Sequence, residues 1–385
     1  MRGRSREPKS VALLIESSNA YARGLLRGIV SYIRDHEAWS VYLPEQERGA
    51  SPPPWLRNWA GDGLIARIET DAIARSVRRL GLPTVDVSAA RHIPGIPWVE
   101  TNDREISRLA AEHLIERGFR NLAFCGEPHF NWSQWRGAEF LKLADSDARR
   151  CFSFQSESVR SRGFSIAKER RRLTEWVVGL PKPVGIFACY DIKARLILDV
   201  CREADVQVPE EAAVLGVDND ELLCDLCTPP LSSVMPAAHR AGREAAQLLD
   251  ALMRGKKVAE KHLVDPIAVV TRQSTDVLAI DDDEVATAVR FIRDHACDGI
   301  NVLDVLRRVP VSRRVLETRF QDLIGRTPHQ EIVRRRIDRA CELLADSDMS
   351  LSRVASMTGF RSEAYLIVAF RRETGVTPGQ YRRKV

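Results

Sequence analysis

Polar side chains stand at four positions where they could converge on a small ligand. Asp191 and Asp218 each follow an apolar run that predicts a buried strand, and open α/β sheets bind ligands at the carboxyl ends of their strands. A carboxylate there accepts two hydrogen bonds from hydroxyl groups, Asn219 could donate to another hydroxyl, and Arg136 is a cationic donor. These groups suit a sugar. The alternative is that Asp191 and Asp218 cap the helix or loop that follows each of them.

Aromatic side chains near these groups could supply the apolar surface that a sugar ring requires. Trp132 lies four residues before Arg136, and Tyr21 follows the first predicted strand. Aromatic faces pack against the C–H side of a sugar ring. Packing in the core or at a hinge explains both residues equally well, and Asn19 could be a helix N-cap as easily as a ligand contact.

The sequence offers no recognised catalytic motif. No G-x-x-x-x-G-K-[S/T], G-x-S-x-G, H-E-x-x-H or G-x-G-x-x-G occurs. Cys224 and Cys227 form one C-x-x-C without a second ligand pair, so we expect no zinc site. We therefore predict a binding protein without catalytic residues, metal or cofactor. A sugar-converting enzyme with a helical accessory domain and an exported solute receptor are the alternatives.

The last fifth of the chain predicts a DNA-binding module. A short helix ends at Gly359, and Ser362 can cap a second one, which together describe a helix-turn-helix. Residues 301–385 hold 17 Lys and Arg against 10 Asp and Glu, whereas the other 300 residues hold 41 and 43. Positive charge concentrated in one segment is the footprint of phosphate binding.

The motif F-x4-G-x-T-P occurs at Phe320 and again at Phe370, 50 residues later. This repeat predicts two helix-turn-helix units joined by a helix over 328–345, whose Arg334, Arg335 and Arg336 we expect on a DNA-near or solvent side. The predicted DNA-contacting residues are Arg313, Arg314, Glu317 and Thr318 in the first unit and Ser362, Glu363, Ile367 and Val368 in the second.

The reading helices differ in their chemistry. Arg314 could bind guanine and Glu317 could accept from cytosine, whereas Ile367 and Val368 could contact only thymine methyl groups. We expect Arg313 and Arg319 at phosphate or solvent. The second unit could instead mainly position the domain.

Upstream, apolar strand patterns alternate with helical ones, which predicts an α/β bilobal body of two doubly wound parallel sheets, each of about five strands, in series. We predict a disordered tail over 1–10, a sugar sensor over 11–275, a linker over 276–283 and the DNA-binding domain over 284–385. No apolar run is long enough to span a membrane and no export signal is evident, so we expect a cytoplasmic protein without a membrane partner.

Residues from Ser312 (S-R-R-V-L-E-T-R-F-Q-D-L-I-G-R-T-P) and from Gly359 (G-F-R-S-E-A-Y-L-I-V-A-F-R-R-E-T-G-V-T-P-G-Q-Y-R) resemble the AraC/XylS family of DNA-binding domains. The body is similar to the sugar-sensing core of LacI/GalR-type repressors and to periplasmic-binding-protein-like receptors. Its markers include W-R-G at Trp135, C-Y-D at Cys189 and G-V-D-N-D-E at Gly216.

The order of these modules, with S-N-A-Y-A-R-G from Ser18 and I-R-D-H-A-C-D-G-I from Ile292, resembles the xylose-operon activators of bacteria. The resemblance implies a homodimeric transcription activator whose partners are a double-stranded DNA operator, RNA polymerase and a sugar effector, D-xylose or another monosaccharide.

Overall fold

A computed structural model describes residues 8–36, 38–45, 51–145, 149–158, 163–276, 282–346 and 349–382. The chain divides into two compact units, Met1–Val277 and Leu278–Val385. The first unit is α/β and the second is helical throughout its described part.

The strands of the first unit form two sheets. They are β1 (Lys9–Leu14), β2 (Trp39–Tyr42), β3 (Gly63–Ala66), β4 (Thr84–Asp86), β5 (Trp98–Thr101), β6 (Asn121–Gly126), β7 (Arg150–Gln155), β8 (Val184–Ala188), β9 (Ala212–Val217), β10 (Ser232–Met235), β11 (Lys261–Val264) and β12 (Ala268–Val270). The orders are β11-β5-β4-β3-β1-β2 and β12-β10-β9-β8-β6-β7. All pairings are parallel except β10 with β12. The predicted bilobal α/β body is therefore confirmed.

Helices cover the sheets and build the second unit. Those of the first unit are α1 (Ala20–Asp35), α2 (Asp71–Leu80), α3 (Asp103–Glu116), α4 (Asn131–Ala144), α5 (Ile166–Gly179), α6 (Asp191–Glu203), α7 (Glu221–Leu226) and α8 (Ala238–Met253). Those of the second are α9 (Asp283–His295), α10 (Val302–Leu306), α11 (Arg313–Ile324), α12 (Pro328–Asp346), α13 (Leu351–Met357), α14 (Glu363–Thr374) and α15 (Pro378–Arg382).

The two predicted runs of about five strands are present as β1–β5 and β6–β10, but the two lobes are also interleaved, which the prediction did not include. After the chain has formed five of the six strands of the second sheet, α8 and β11 return to the first lobe, where α8 packs in the core and β11 joins the first sheet. The chain consequently crosses between the lobes three times, after β5, after β10 and after β11. Hydrophobic patterning shows that a strand is buried but not which sheet it joins.

Two boundary predictions also change. Lys9 and Ser10, expected in the tail, are the first residues of β1, and residues 1–7 lie outside the described residues. Of the predicted linker 276–283, residues 277–281 lie outside the described residues, and Asp283 already belongs to α9.

Close packing of α1 against α8 fastens the returning segment to the first lobe. A Cβ on Gly28 would lie 2.0 Å from the carbonyl oxygen of His239, and one on Gly242 would lie 2.0 Å from that of Leu25. Such distances exclude any side chain at the two glycines, so the backbones meet directly at this point.

The sequence repeat in the second unit is also a structural repeat. Ser312 and Ser362 cap α11 and α14 by accepting hydrogen bonds from backbone amides three residues on. Gly325 and Gly375 end these helices with φ of 73° and 77°, a left-handed conformation that favours glycine. The predicted pair of helix-turn-helix units is confirmed.

The three arginines of α12 do not lie as expected. Arg336 is buried and donates at 2.7 Å to each of the carbonyl oxygens of Ala296 and Ile300. Arg334 and Arg335 donate to the buried carboxylate of Glu331 at 3.0 and 2.9 Å. Arg336 therefore lies on the packed side of α12, whereas Arg334 and Arg335 are half-buried and their charges are paired with Glu331.

Glu331 should make the stability of the second unit depend on acidity. Burial alone would raise the pKa of this carboxyl, but Arg334, Arg335 and Arg326 lower it to about 2, below its ordinary 4.5. The stabilisation is therefore complete above about pH 4.5 and is lost as the pH falls towards 2, an effect of about 3 kcal/mol.

We expect Glu331→Gln to lower the free energy of unfolding of this unit by about 3 kcal/mol at pH 7 and to flatten its acid dependence. Urea unfolding followed between pH 7 and pH 2.5 measures both effects. The matched control is Glu373→Gln, whose partner Arg372 is largely exposed. Equal acid sensitivity of the Glu331→Gln variant and the parent chain would contradict the assignment.

Candidate functional site

A cleft lies between the two lobes of the first unit, at the carboxyl ends of strands from both sheets. Its walls come from the start of α1 and the residues after β3, β4 and β5 in the first lobe. The second lobe contributes α4 and the residues after β8 and β9. The polar lining residues are Asn19, Arg67, Ser88, Glu100, Thr101, Asp103, Arg136, Asp191, Asp218 and Asp220.

Arg136 holds the cleft together beside the first crossing of the chain. Its Nε donates to Asp103 Oδ1 at 2.7 Å, and its Nη1 donates to the carbonyl oxygen of Cys189 at 2.6 Å. The guanidinium carbon also lies 5.0 Å from the centroid of the Trp132 ring. One buried cation thus joins the start of α3, helix α4 and the end of β8.

Asp103 offers an unused acceptor in this wall. Its Oδ2 is buried and has no hydrogen-bond partner among the described residues. Burial raises the pKa of the Asp103 carboxyl, and the neighbouring Arg136 opposes that shift. Leaving a buried acceptor unpaired costs about 1–3 kcal/mol, so a donor from a bound molecule would stabilise this arrangement.

Arg67 offers an unused donor on the opposite lobe. Its terminal nitrogens bind Glu16 and Glu69, the latter at 2.6 Å, while its buried Nε has no partner among the described residues. Burial disfavours the guanidinium charge, yet Glu69 and Glu16 raise its pKa above the ordinary value. The guanidinium lies 5.9 Å from the ring centroid of Tyr21.

Tyr21 closes this side of the cleft. Its hydroxyl accepts a hydrogen bond from Thr101 Oγ1 at 3.1 Å, which ties α1 to the first crossing. Burial raises the pKa of Tyr21 to about 12, so the phenol is neutral at physiological pH. Its ring remains available as an apolar surface.

The Asp191 carboxylate accepts hydrogen bonds from other groups of the protein. Its Oδ1 accepts from Ser233 Oγ at 2.6 Å, and its Oδ2 accepts from the amide of Asp220 at 2.9 Å. These bonds hold the loop after β9, where Asp218 and Asn219 have φ of 114° and 46°. Asp and Asn tolerate such values better than other residues with a side chain. The loop presents Asp218 to the cleft.

The structure brings together five of the six predicted ligand residues as cleft walls, namely Tyr21, Trp132, Arg136, Asp191 and Asp218. Asn219 is not among the lining residues, because its side-chain oxygen accepts from Arg272 Nη1 at 2.8 Å. Arg67 and Asp103 were missed. Arg67 follows directly after β3, and this position at the carboxyl end of a strand could have identified it as a cleft residue. Asp103 begins α3, so its sequence context suggests only a helix start.

Two contacts already join the lobes across the cleft. Arg23 of α1 pairs with Asp220 at 3.2 Å, and Asn131 of α4 donates to the carbonyl oxygen of Ala89 at 3.1 Å. Both contacts connect helices of one lobe to loops of the other in this arrangement.

The predicted DNA-contacting residues lie on α11 and α14. Arg313, Arg314, Thr318, Ser362, Glu363 and Val368 are exposed, whereas Glu317 and Ile367 are half-buried. Val368 is 65% exposed although it is apolar. Glu317 accepts from Arg313 at 2.8 Å, and Arg319, expected at phosphate or solvent, pairs with Asp282 at 3.0 Å.

The described residues have neither a cluster of metal-binding side chains nor a membrane-spanning helix. They contain no group of three or more His, Cys, Asp or Glu side chains arranged to hold a metal ion. Cys224 and Cys227 are buried, and their thiols donate to Asp191 and to the carbonyl oxygen of Leu223. No helix in this described part is both long and apolar enough to cross a bilayer.

Comparison with known proteins matches every part of this architecture. Three family models match the chain: the XylR N-terminal domain over 10–104, a periplasmic binding protein-like domain over 111–275 and a helix-turn-helix domain over 305–384. The xylose operon regulatory protein of Escherichia coli (strain K12) is 32% identical over 381 residues, which cover 97% of this chain and 96% of that protein.

A second relative and a solved structure agree. The xylose operon regulatory protein of Haemophilus influenzae is 31% identical, with 97% of both chains covered. A structure described as the xylose-binding transcription activator XylR superposes with a TM-score of 0.80 and 30% identity, covering 98% of both chains.

We expect Arg136→Met to lower the free energy of unfolding of the first unit by about 3–5 kcal/mol, because Asp103 would remain buried without its cationic partner. Arg136→Met combined with Asp103→Leu should recover part of that loss. Arg108→Met is the control, since its exposed pairs with Glu105 and Glu112 should contribute less than about 1 kcal/mol. Urea unfolding that gives equal losses for Arg136→Met and Arg108→Met would contradict the role of the buried pair.

Proposed function

The chain belongs to the family of bacterial xylose operon regulatory proteins, and on that premise we propose that it is a transcription activator whose effector is D-xylose. The family consists of sugar-responsive DNA-binding regulators. In this chain the cleft of the first unit would bind the sugar, and α11 and α14 of the second would bind the operator.

The observation that carries the effector proposal is the pair of unused polar atoms in the cleft. Arg67 Nε is a buried donor on one lobe, and Asp103 Oδ2 is a buried acceptor at the start of α3. A sugar hydroxyl both donates and accepts, so a monosaccharide between the lobes carries the kind of group that each of these atoms lacks. A ligand that joins the lobes in this way favours their closed arrangement.

The remaining cleft residues complete a sugar site. Asp218 would accept from hydroxyl groups, and Arg136 would stay bound to Asp103 and hold it in place. The rings of Tyr21 and Trp132 would pack against the C–H faces of the sugar. Asp191 would act by holding the loop that carries Asp218 rather than by direct contact.

The two reading helices would have unequal roles. Arg314, which is exposed on α11, would bind guanine in the major groove. Glu317 would orient Arg313 more than it would read cytosine, because the two side chains are paired. On α14, Val368 would contact a thymine methyl group, Ser362 would fix the start of the helix through its cap, and Glu363 would accept from a base amino group.

Assembly and partners follow from the family. We propose that the protein acts in the cytoplasm as a homodimer, contacts RNA polymerase at the promoter and catalyses no reaction. A sugar-converting enzyme remains the competing function, and incubation with pentoses followed by product analysis would reveal it.

D-xylose should stabilise the protein against heat. At one hundred times its dissociation constant the expected gain is about 2.7 kcal/mol, and Arg67→Met and Asp103→Asn should each abolish it. Arg108→Met is the control that keeps the full gain. A thermal-shift series over pentoses, hexoses and their phosphates measures the effect. A larger shift with another monosaccharide would replace xylose as effector, and no shift with any sugar would overturn the sensor assignment.

Arg314→Ala should weaken operator binding by about 1–3 kcal/mol and relax specificity at one base pair. Val368→Ala should cost less, because it removes only an apolar contact. Fluorescence anisotropy with a fragment selected by the parent chain from random double-stranded DNA, and with single-base variants of it, distinguishes these effects. Equal weakening on every sequence by Arg314→Ala would mean a phosphate contact instead.

A further inference from the structure

The segment that leads out of the first unit is bound into the same lobe that presents Asp218 to the cleft. Residues 271–276 follow β12 and precede the DNA-binding unit, whose first helix begins at Asp283. Ser274 and Thr275 are fully buried although they are polar. Burying polar side chains is costly unless each is hydrogen-bonded, so their partners show what this segment is anchored to.

Ser232, at the start of β10, makes several of the hydrogen bonds that hold residues 271–276, which we call the exit segment. Its hydroxyl accepts from the amide of Arg272 and from Thr275 Oγ1, both at 2.7 Å, and it donates to the carbonyl oxygen of Arg272 at 2.9 Å. One donor and two acceptor positions are thereby used, which is the full capacity of a hydroxyl group. The exit segment is therefore fixed to β10.

Helix α3 binds the other side of the segment. His113 Nε2 lies 2.8 Å from Thr275 Oγ1, and Arg117 Nε donates to the carbonyl oxygen of Thr275 at 2.8 Å. Burial lowers the pKa of His113 to about 3. The imidazole is consequently neutral, and it donates to Thr275, whose own hydroxyl hydrogen is directed to Ser232.

The side chain of Arg272 extends from the exit segment to the loop 218–220 after β9, which we call the effector loop. Its Nη1 donates to Asn219 Oδ1 at 2.8 Å and to the carbonyl oxygen of Leu231 at 3.1 Å, and its Nε donates to Asp225 Oδ1 at 3.1 Å. The guanidinium therefore binds the loop after β9, helix α7 and the residue before β10 simultaneously. A lysine, with a single nitrogen, could not bridge the same positions.

Asn219 is the neighbour of the cleft residue Asp218, and both have left-handed backbone conformations. The amide of Asn219 donates to Ser233 Oγ at 3.0 Å, and Ser233 in turn donates to Asp191. Adjacent strand residues face opposite sides of a sheet. Ser232 therefore binds the exit segment, and Ser233 binds the effector loop.

We propose that Arg272 is a positioning residue that couples occupancy of the cleft to the segment leading into the DNA-binding unit. The coupling rests on the proposed sugar-sensing function. A sugar that binds Asp218 restrains the loop 218–220, and the Asn219–Arg272 hydrogen bond carries that restraint to Ser232 and Thr275. Loss of the bond leaves the sugar site intact and separates it from the output.

The test compares Arg272→Met with the parent chain and with Arg202→Met, an exposed arginine of the same lobe. Saturating D-xylose should slow hydrogen exchange at the amides of Arg272 and Ser274 at least tenfold in the parent chain and in Arg202→Met. In Arg272→Met the change should be less than twofold, while the dissociation constant for D-xylose, from calorimetry, stays within threefold.

The full chain gives a second measurement, the ratio of DNA dissociation constants with and without D-xylose on the selected fragment. Arg272→Met should bring this ratio to one. Asn219→Gly, which accepts the left-handed backbone but lacks the amide, should do the same. Asn219→Asp, which keeps an acceptor for Arg272, should preserve the parent ratio, and this set does not depend on any one variant folding well.

The outcomes separate the two proposals. If Arg272→Met binds D-xylose and keeps the parent exchange response and DNA ratio, the coupling is overturned and the sensor function stands. If the parent chain binds D-xylose without slower exchange at Arg272 and Ser274, the coupling is likewise overturned. If the parent chain binds no sugar, the proposed function fails and the coupling fails with it.

Discussion

Arg136 is a buried cation beside the first crossing between the lobes, so its charge must be neutralised there, and the neighbouring cleft residues are arranged around that constraint. Arg136 meets it by pairing with Asp103 at the first crossing and by donating to the carbonyl oxygen after β8. Replacing a buried ion pair by apolar residues is often neutral for stability or even stabilising, so the pair alone does not explain the stability of the fold. What the pair does in the structure is hold Asp103, helix α4 and the end of β8 together at the wall of the cleft.

Much of the α/β body follows from local sequence signals. Strands β3, β8, β9 and β12 are short apolar runs, which is the local pattern that predicts buried strands in an α/β body. Strand β10 lacks this pattern because it begins with two serines, and both are fully buried through hydrogen bonds with distant segments. The return of α8 and β11 to the first lobe was equally unpredictable, since it depends on long-range pairing.

The candidate site shows the same limit at the level of single residues. Residue type identified which carboxylates stand near the cleft, but not which of them are already used. Both carboxylate oxygens of Asp191 accept hydrogen bonds, from Ser233 and from the amide of Asp220, and the side-chain oxygen of Asn219 accepts one from Arg272. Only three-dimensional partners distinguish a group that binds a ligand from one that holds the binding group. In the helical unit the repeated caps are local, so prediction succeeded there.

The interleaved lobes also have a consequence for biosynthesis. The core of the first lobe includes Ala241, Ala245, Leu249 and Val264, so the ribosome must add the residues up to β11 before that core can close. Helix α9 begins 19 residues after Val264. The core of the first lobe is thus completed only shortly before the first helix of the helical unit is made, and a transcript truncated within the second lobe lacks α8 and β11 and leaves that core incomplete.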